Sequence, residues 1–159
     1  MNRDDNPQPG PRYAEIETAA RELRETIALE TGRLADRLLG RPEFGSAQWQ
    51  LEWDQRGTPE GRRRQVDWYL VKIRIDAAAG LDPHGNAVNA RGFGASWAEI
   101  GDAYGISAEG AAERWERAAT DFIERYRGTA LLPECETPPT PTQVEPGKER
   151  PNIGIERSR

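Results

Sequence analysis

The sequence predicts an all-α protein: one domain of four to five helices, opened by a long amphipathic helix and flanked by disordered termini. Three observations predict it. From Tyr13 onward the apolar residues recur mostly at alternating steps of three and four, the period of a single helical face. Helix-start signals precede two of the apolar runs, Thr58-Pro59-Glu60 and Ser96 followed by Glu99 three residues on. Proline and polar residues gather at the ends, with six of the twelve prolines in 129–159. The expected organisation is a disordered lead over 1–11, a helical domain over 12–128 and a Pro-rich disordered tail over 129–159.

The first helix is defined by Tyr13, Ile16, Ala20, Leu23, Ile27, Leu34 and Leu38, with Glu15, Glu17, Arg21, Glu22, Arg24 and Glu25 around the rest of the wheel. It should run for about 27 residues to Gly40, with Pro42 as a stop beyond it. Glu30 takes the seam position between Ile27 and Leu34 and interrupts a strict heptad. Such a helix can pack on its own domain or pair with a second copy of the chain.

Residues 46–55 are ambiguous between helix and strand. Trp49, Leu51 and Trp53 alternate with polar residues, as in a short strand, yet Trp49 and Trp53 four apart would also share a helical face. A core wedge is the default for two such tryptophans, and stacking on a ligand is the alternative. Thr58, Pro59 and Glu60 start the next helix, which should reach Gly80. Val66, Leu70, Ile73 and Ala77 form one stripe, and Trp68, Val71 and Ile75 a second, which makes this helix central. The β-branched VKIRI run leaves a strand open for 66–76. Residues 81–94, rich in Gly, Asn and Asp, read as a loop with one helical turn near Asn86 to Arg91.

The stretch 95–117, ASWAEIGDAYGISAEGAAERWER, holds two short helices meeting at a tight corner. Ser96 and Glu99 form a capping box, Trp97, Ile100, Ala103 and Tyr104 share one face, and Gly105 supplies a positive φ where the chain turns. Ser107 restarts the helix. Ala111, Ala112 and Trp115 continue its apolar edge, and Ala119, Phe122 and Tyr126 carry the stripe to a stop at Gly128. Trp97, Ile100, Tyr104, Ile106, Ala111 and Trp115 are the expected core of this unit.

In register, Trp97, Glu99, Ile100, Gly101, Tyr104, Gly105, Ile106 and Ser107 make this stretch resemble a bacterial helix-turn-helix. The version is that of sigma-factor region 4 and of many small regulators of high-GC bacteria. The resemblance implies DNA binding in transcription regulation, often as a homodimer. It makes the helix after Ser107 the recognition helix in the major groove. By that resemblance Ser96, Trp97, Ser107, Ala108, Glu109, Ala112, Glu113, Arg114 and Arg117 would face double-stranded DNA.

The chain departs from the pattern in charge. Over 95–117, Glu99, Asp102, Glu109, Glu113 and Glu116 stand against Arg114 and Arg117 alone. Most sequence-independent affinity comes from neutralised phosphates, so this unit alone should bind DNA poorly. The main basic cluster lies earlier, where Arg62, Arg63 and Arg64 occupy the first turns of a helix whose dipole disfavours cations. Phosphate is one use for that charge, and pairing with the acidic first helix is the other. The rival function is therefore a protein-binding adaptor or inhibitor that uses the acidic second helix or the Pro-rich tail.

Composition narrows the remaining classes. The net charge of −5 and the pI of about 5.1 are wrong for a protein that coats nucleic acid by charge alone, and the mean hydropathy of −0.85 calls for a modest ordered core. One cysteine, Cys135, and one histidine, His84, argue against an intrachain disulfide and a zinc site. No Walker loop, paired metal ligands or nucleophile elbow occurs, so no cofactor and no enzymatic activity are expected. With no apolar run of membrane-spanning length, a cytoplasmic protein is expected.

Overall fold

The computed structural model describes residues 12–135 and is all-helical over them. The six helices are α1 (Tyr13–Leu39), α2 (Ala47–Asp54), α3 (Pro59–Ala79), α4 (His84–Gly92), α5 (Trp97–Tyr104) and α6 (Ala108–Tyr126). The expected lead over 1–11 and the tail from 136 onward lie outside the described residues.

The capping chemistry sets most of the boundaries. Ser46, Thr58, Ser96 and Ser107 each accept a hydrogen bond on the side-chain oxygen from a backbone N–H three residues on. Gly40, Gly80 and Gly105 end their helices in the left-handed conformation. At α1 the Arg12 N–H donates to the Glu15 carboxylate at 2.8 Å.

Helices α4 and α5 lie between α3 and α6, and the last part of α1 packs on α3. The core holds Val66, Leu70 and Ile73 of α3, Ala87 and Ala90 of α4, Ile100 and Ala103 of α5, and Ala111 and Trp115 of α6. Phe93, Ala95 and Leu132 close it. Tyr69, Trp97, Tyr104, Ile106, Phe122 and Tyr126 cover its margin, half-buried. The ambiguous segments 46–55 and 66–76 are both helical, since the Ser46 and Thr58 caps commit each chain start to a helix.

Three features differ from the sequence reading. In 81–94, expected as loop with one helical turn near Asn86 to Arg91, the helical part is longer and forms α4 over His84–Gly92. Pro83 offers its start no side-chain cap, but the Asp82 side chain accepts from the His84 N–H at 3.2 Å, and burial of Ala87, Val88 and Ala90 between larger helices holds it in place. Trp49 and Trp53 are not a core wedge. They stack at 5.7 Å between ring centroids at the domain's edge, where no residue of α2 is buried and Trp53 stays 46% exposed. Finally, the chain does not leave the body at Gly128. The Gly128 N–H donates to the Leu132 carbonyl at 2.9 Å, and Leu132 returns into the core at 3% exposure.

Candidate functional site

The corner between α5 and α6 is built from the backbone outward. Ser96 and Glu99 cap each other reciprocally: the Ser96 N–H donates to the Glu99 carboxylate at 2.8 Å, and the Glu99 N–H donates to the Ser96 hydroxyl at 3.2 Å. At the far end Gly105 has φ +87°, and the N–H groups of Gly105 and Ile106 both donate to the Gly101 carbonyl, at 2.8 and 2.9 Å. Satisfying one carbonyl twice tightens the turn and brings the start of α6 directly over Gly101. The Ser107 hydroxyl then accepts from the Gly110 N–H at 3.0 Å.

Packing fixes the direction of α6. Ala111, Trp115 and Ala119 are buried along one side. Trp115 meets the Tyr104 ring edge-to-face at 5.6 Å, which ties α6 to α5. The opposite side is solvent: Glu109, Glu113, Arg114, Glu116 and Arg117 are exposed, as is Ser107, while Ala108 and Ala112 lie half-buried on its flank. Most of the residues singled out from the resemblance thus gather on one outward surface at the α6 start. Ser96 and Trp97 sit at the start of α5, where the Ser96 hydroxyl is taken up by Glu99 and Trp97 is half-buried beneath Arg91.

The arginines of α3 do not join that surface as a group. Arg62 reaches the Pro133 carbonyl and holds the returning segment after Gly128 against the body. Arg63 pairs with Glu99 at 2.5 Å and Asp67 at 2.7 Å, tying α3 to the start of α5. Arg64 donates to the Gln55 side-chain oxygen at 3.2 Å. Each therefore points to a different internal partner. Arg114 leans over Tyr104 and Trp115, 5.4 and 5.3 Å from their ring centroids, within 3.9 Å of Asp82.

Two roles were not visible in the sequence. Arg91 donates to the Ala95 carbonyl at 2.8 Å and lies 5.1 Å from the Trp97 ring centroid, bracing the segment that enters α5. Asp82 links the start of α4 to α6 through Arg114. No spacing rule signals either: Arg91 acts across the turn between α4 and α5, and Asp82 depends on where α6 packs.

Glu99 is the site's most perturbed acid. The Ser96 N–H, then the Arg63 guanidinium and the Ser96 hydroxyl, hold its carboxyl down at about 2, against an ordinary value of 4.5. A folded-state pKa below the unfolded one adds stability above about pH 4.5, which is lost as the pH falls towards 2. Glu99→Gln should therefore be less stable than the wild type in urea melts above pH 4.5, with the gap closing as pH falls towards 2. A gap that stays constant would mean that the charge of Glu99 contributes nothing.

Among the described residues no group of His, Cys, Asp and Glu is placed to hold a metal ion, and no helix is long and apolar enough to cross a membrane. No family model, curated protein or solved structure matches the chain.

Proposed function

We propose that this protein is a helix-turn-helix protein that binds double-stranded DNA in transcription regulation as a homodimer, with α6 as its recognition helix. The observation that carries the reading is the corner itself. A capped α5, a left-handed Gly105 and a doubly bonded Gly101 carbonyl fix the first turns of α6 with one side on the core and Ser107, Glu109, Glu113, Arg114 and Arg117 turned to solvent. A rigid helix end exposed in this way matches the way such motifs enter a major groove. Glu109 and Glu113 are suited to accept from cytosine N4, while Arg114 and Arg117 would meet phosphate or guanine.

A second reading is favoured by charge. The outward face of α6 carries Glu109, Glu113 and Glu116, and Arg62, Arg63 and Arg64 of α3 each have a partner within the domain. The same rigid corner would then present an acidic helix to a basic protein surface.

Selection of duplexes from a random pool by the full-length protein, followed by gel shifts at several salt concentrations, separates the two. DNA binding predicts an enriched sequence and a shallow salt slope, because few phosphates can be neutralised. Arg117→Ala should lower that slope by about one and weaken all sequences evenly if Arg117 meets phosphate. A pool that never enriches would support the protein-contact reading.

A further inference from the structure

The outer part of α1 is uncovered. No residue of 13–30 is buried, and Tyr13, Ile16 and Leu23 are 76%, 52% and 60% exposed. The domain grips α1 only from Thr31, Gly32 and Ala35 onward. An isolated helix of this length draws little stability from propensity alone, so an apolar stripe along it calls for a surface to bury it. Tyr13, Ile16, Ala20, Leu23, Ile27, Glu30 and Leu34 follow one another at steps of three and four, the a and d positions of consecutive heptads. Thr31, Gly32 and Ala35 fall at e, f and b. The side that α3 holds and the side that carries the seam are therefore different.

We propose that this seam pairs antiparallel with the same seam on a second copy of the chain. In the register the residues favour, Tyr13 lies opposite the partner's Glu30, Ile16 opposite the partner's Ile27, and Ala20 opposite the partner's Leu23. The two-fold axis repeats each layer in reverse. Three features select this arrangement. Glu30, the one acid in the seam, meets the Tyr13 hydroxyl, a hydrogen-bond donor for its carboxylate. The flanking e positions bring Glu17 beside the partner's Arg24, and Arg24 beside the partner's Glu17. At the g positions Ala19 and the partner's Thr26 are small enough for close approach. A parallel pair would instead set Glu30 against the partner's Glu30 and Arg24 beside the partner's Ala19.

Length agrees with charge. The free stretch 13–30 is about 27 Å long at the helical rise of 1.5 Å per residue. The register overlaps that stretch with itself end to end, and the overlap stops where the domain body begins at Thr31.

This inference specifies the dimer of the proposed function and does not rest on DNA binding, so it is tested without DNA. Sedimentation equilibrium of the full-length protein should give a dimer. Leu23→Asp should give a monomer, whereas Leu29→Asp, at a leucine 77% exposed but off the seam, should leave the dimer intact. Glu17→Arg and Arg24→Glu should each weaken association by about tenfold, and the double reversal should restore it. A monomeric wild type would overturn the proposal, as would equal loss from Leu23→Asp and Leu29→Asp, or a double reversal no tighter than the single ones. A dimer that enriches no duplex would uphold this interface while removing the DNA reading.

Discussion

Replacing Trp115 with alanine is expected to destabilise the domain by about 3–5 kcal/mol, the range for removing a large aromatic side chain from a core. Trp115 is 1% exposed and is the largest side chain among those fully buried. It belongs to the same cluster as Ile73, Ile100 and Ala111, and so links α3, α5 and α6 in one packing unit. The loss has two parts, the transfer of the indole to water and the cavity left behind. The neighbours most able to fill that space are Tyr104, in edge-to-face contact, and the Arg114 side chain lying against the ring. Both are already positioned by other bonds, Tyr104 by its place at the end of a capped helix and Arg114 by Asp82, so relaxation should be limited. Urea unfolding of the wild type and of Trp115→Ala gives the difference directly. A loss below about 1 kcal/mol would mean that the site collapses freely and that α6 is not fixed to the core through this residue. The functional consequence follows from the same packing: a loosened Trp115 releases the orientation of α6, so contacts made by its outward face should weaken more than those made elsewhere.

Wherever a local rule operated, the sequence carried the fold. The caps at Thr58, Ser96 and Ser107 and the stops at Gly40, Gly80 and Gly105 depend on a few adjacent residues, and each appears where its residue type places it. The stripes Val66, Leu70, Ile73 and Ala111, Trp115, Ala119 are buried for the same reason, since helical periodicity already determines which side chains share a face. What was not legible is what depends on distant partners. Helix α4 has glycine at both ends and only small apolar residues, so its propensity is poor, and it is helical because α3 and α6 flank it. Lys72 and Asp76 are buried on the central helix although both are charged types. The Lys72 ammonium lies 4.3 Å from the Trp68 ring centroid, and the Asn86 amide donates to the Asp76 carboxylate at 2.6 Å. The candidate site divides the same way. Spacing gave the apolar edge of α6, and the resemblance to a helix-turn-helix gave its outward face, where Glu109, Glu113 and Arg117 are exposed. The engagement of Arg62 with Pro133 and of Arg63 with Glu99 joins residues 71 and 36 positions apart, and no periodicity encodes that.

Gly101→Val is expected to cost about 3 kcal/mol or more and to move α6. The position looks favourable for substitution, because a glycine inside a helix is about 1 kcal/mol worse than alanine. Space decides otherwise. A Cβ at Gly101 would lie 2.7 Å from the Ile106 carbonyl oxygen and 2.8 Å from that of Ser107, both backbone atoms of the turn. No rotamer change can relieve such a contact. The turn cannot simply open either, because the Gly101 carbonyl is the acceptor for the N–H groups of both Gly105 and Ile106. The added atoms must push the start of α6 outward and stretch those two bonds, which overcomes the propensity gain even for Gly101→Ala and by a wide margin for the branched valine. Gly85→Ala is the control, since a Cβ there meets nothing within 4 Å and the change should be neutral or stabilising. Urea unfolding should show Gly85→Ala at or above the wild type, Gly101→Ala below it and Gly101→Val lowest. Under the proposed function, Gly101→Ala should also lose DNA affinity at temperatures where it remains fully folded, because the groups on α6 would meet the groove out of register. Equal stability of Gly101→Ala and the wild type would show that the corner yields, and would remove the rigidity on which the outward presentation of α6 depends.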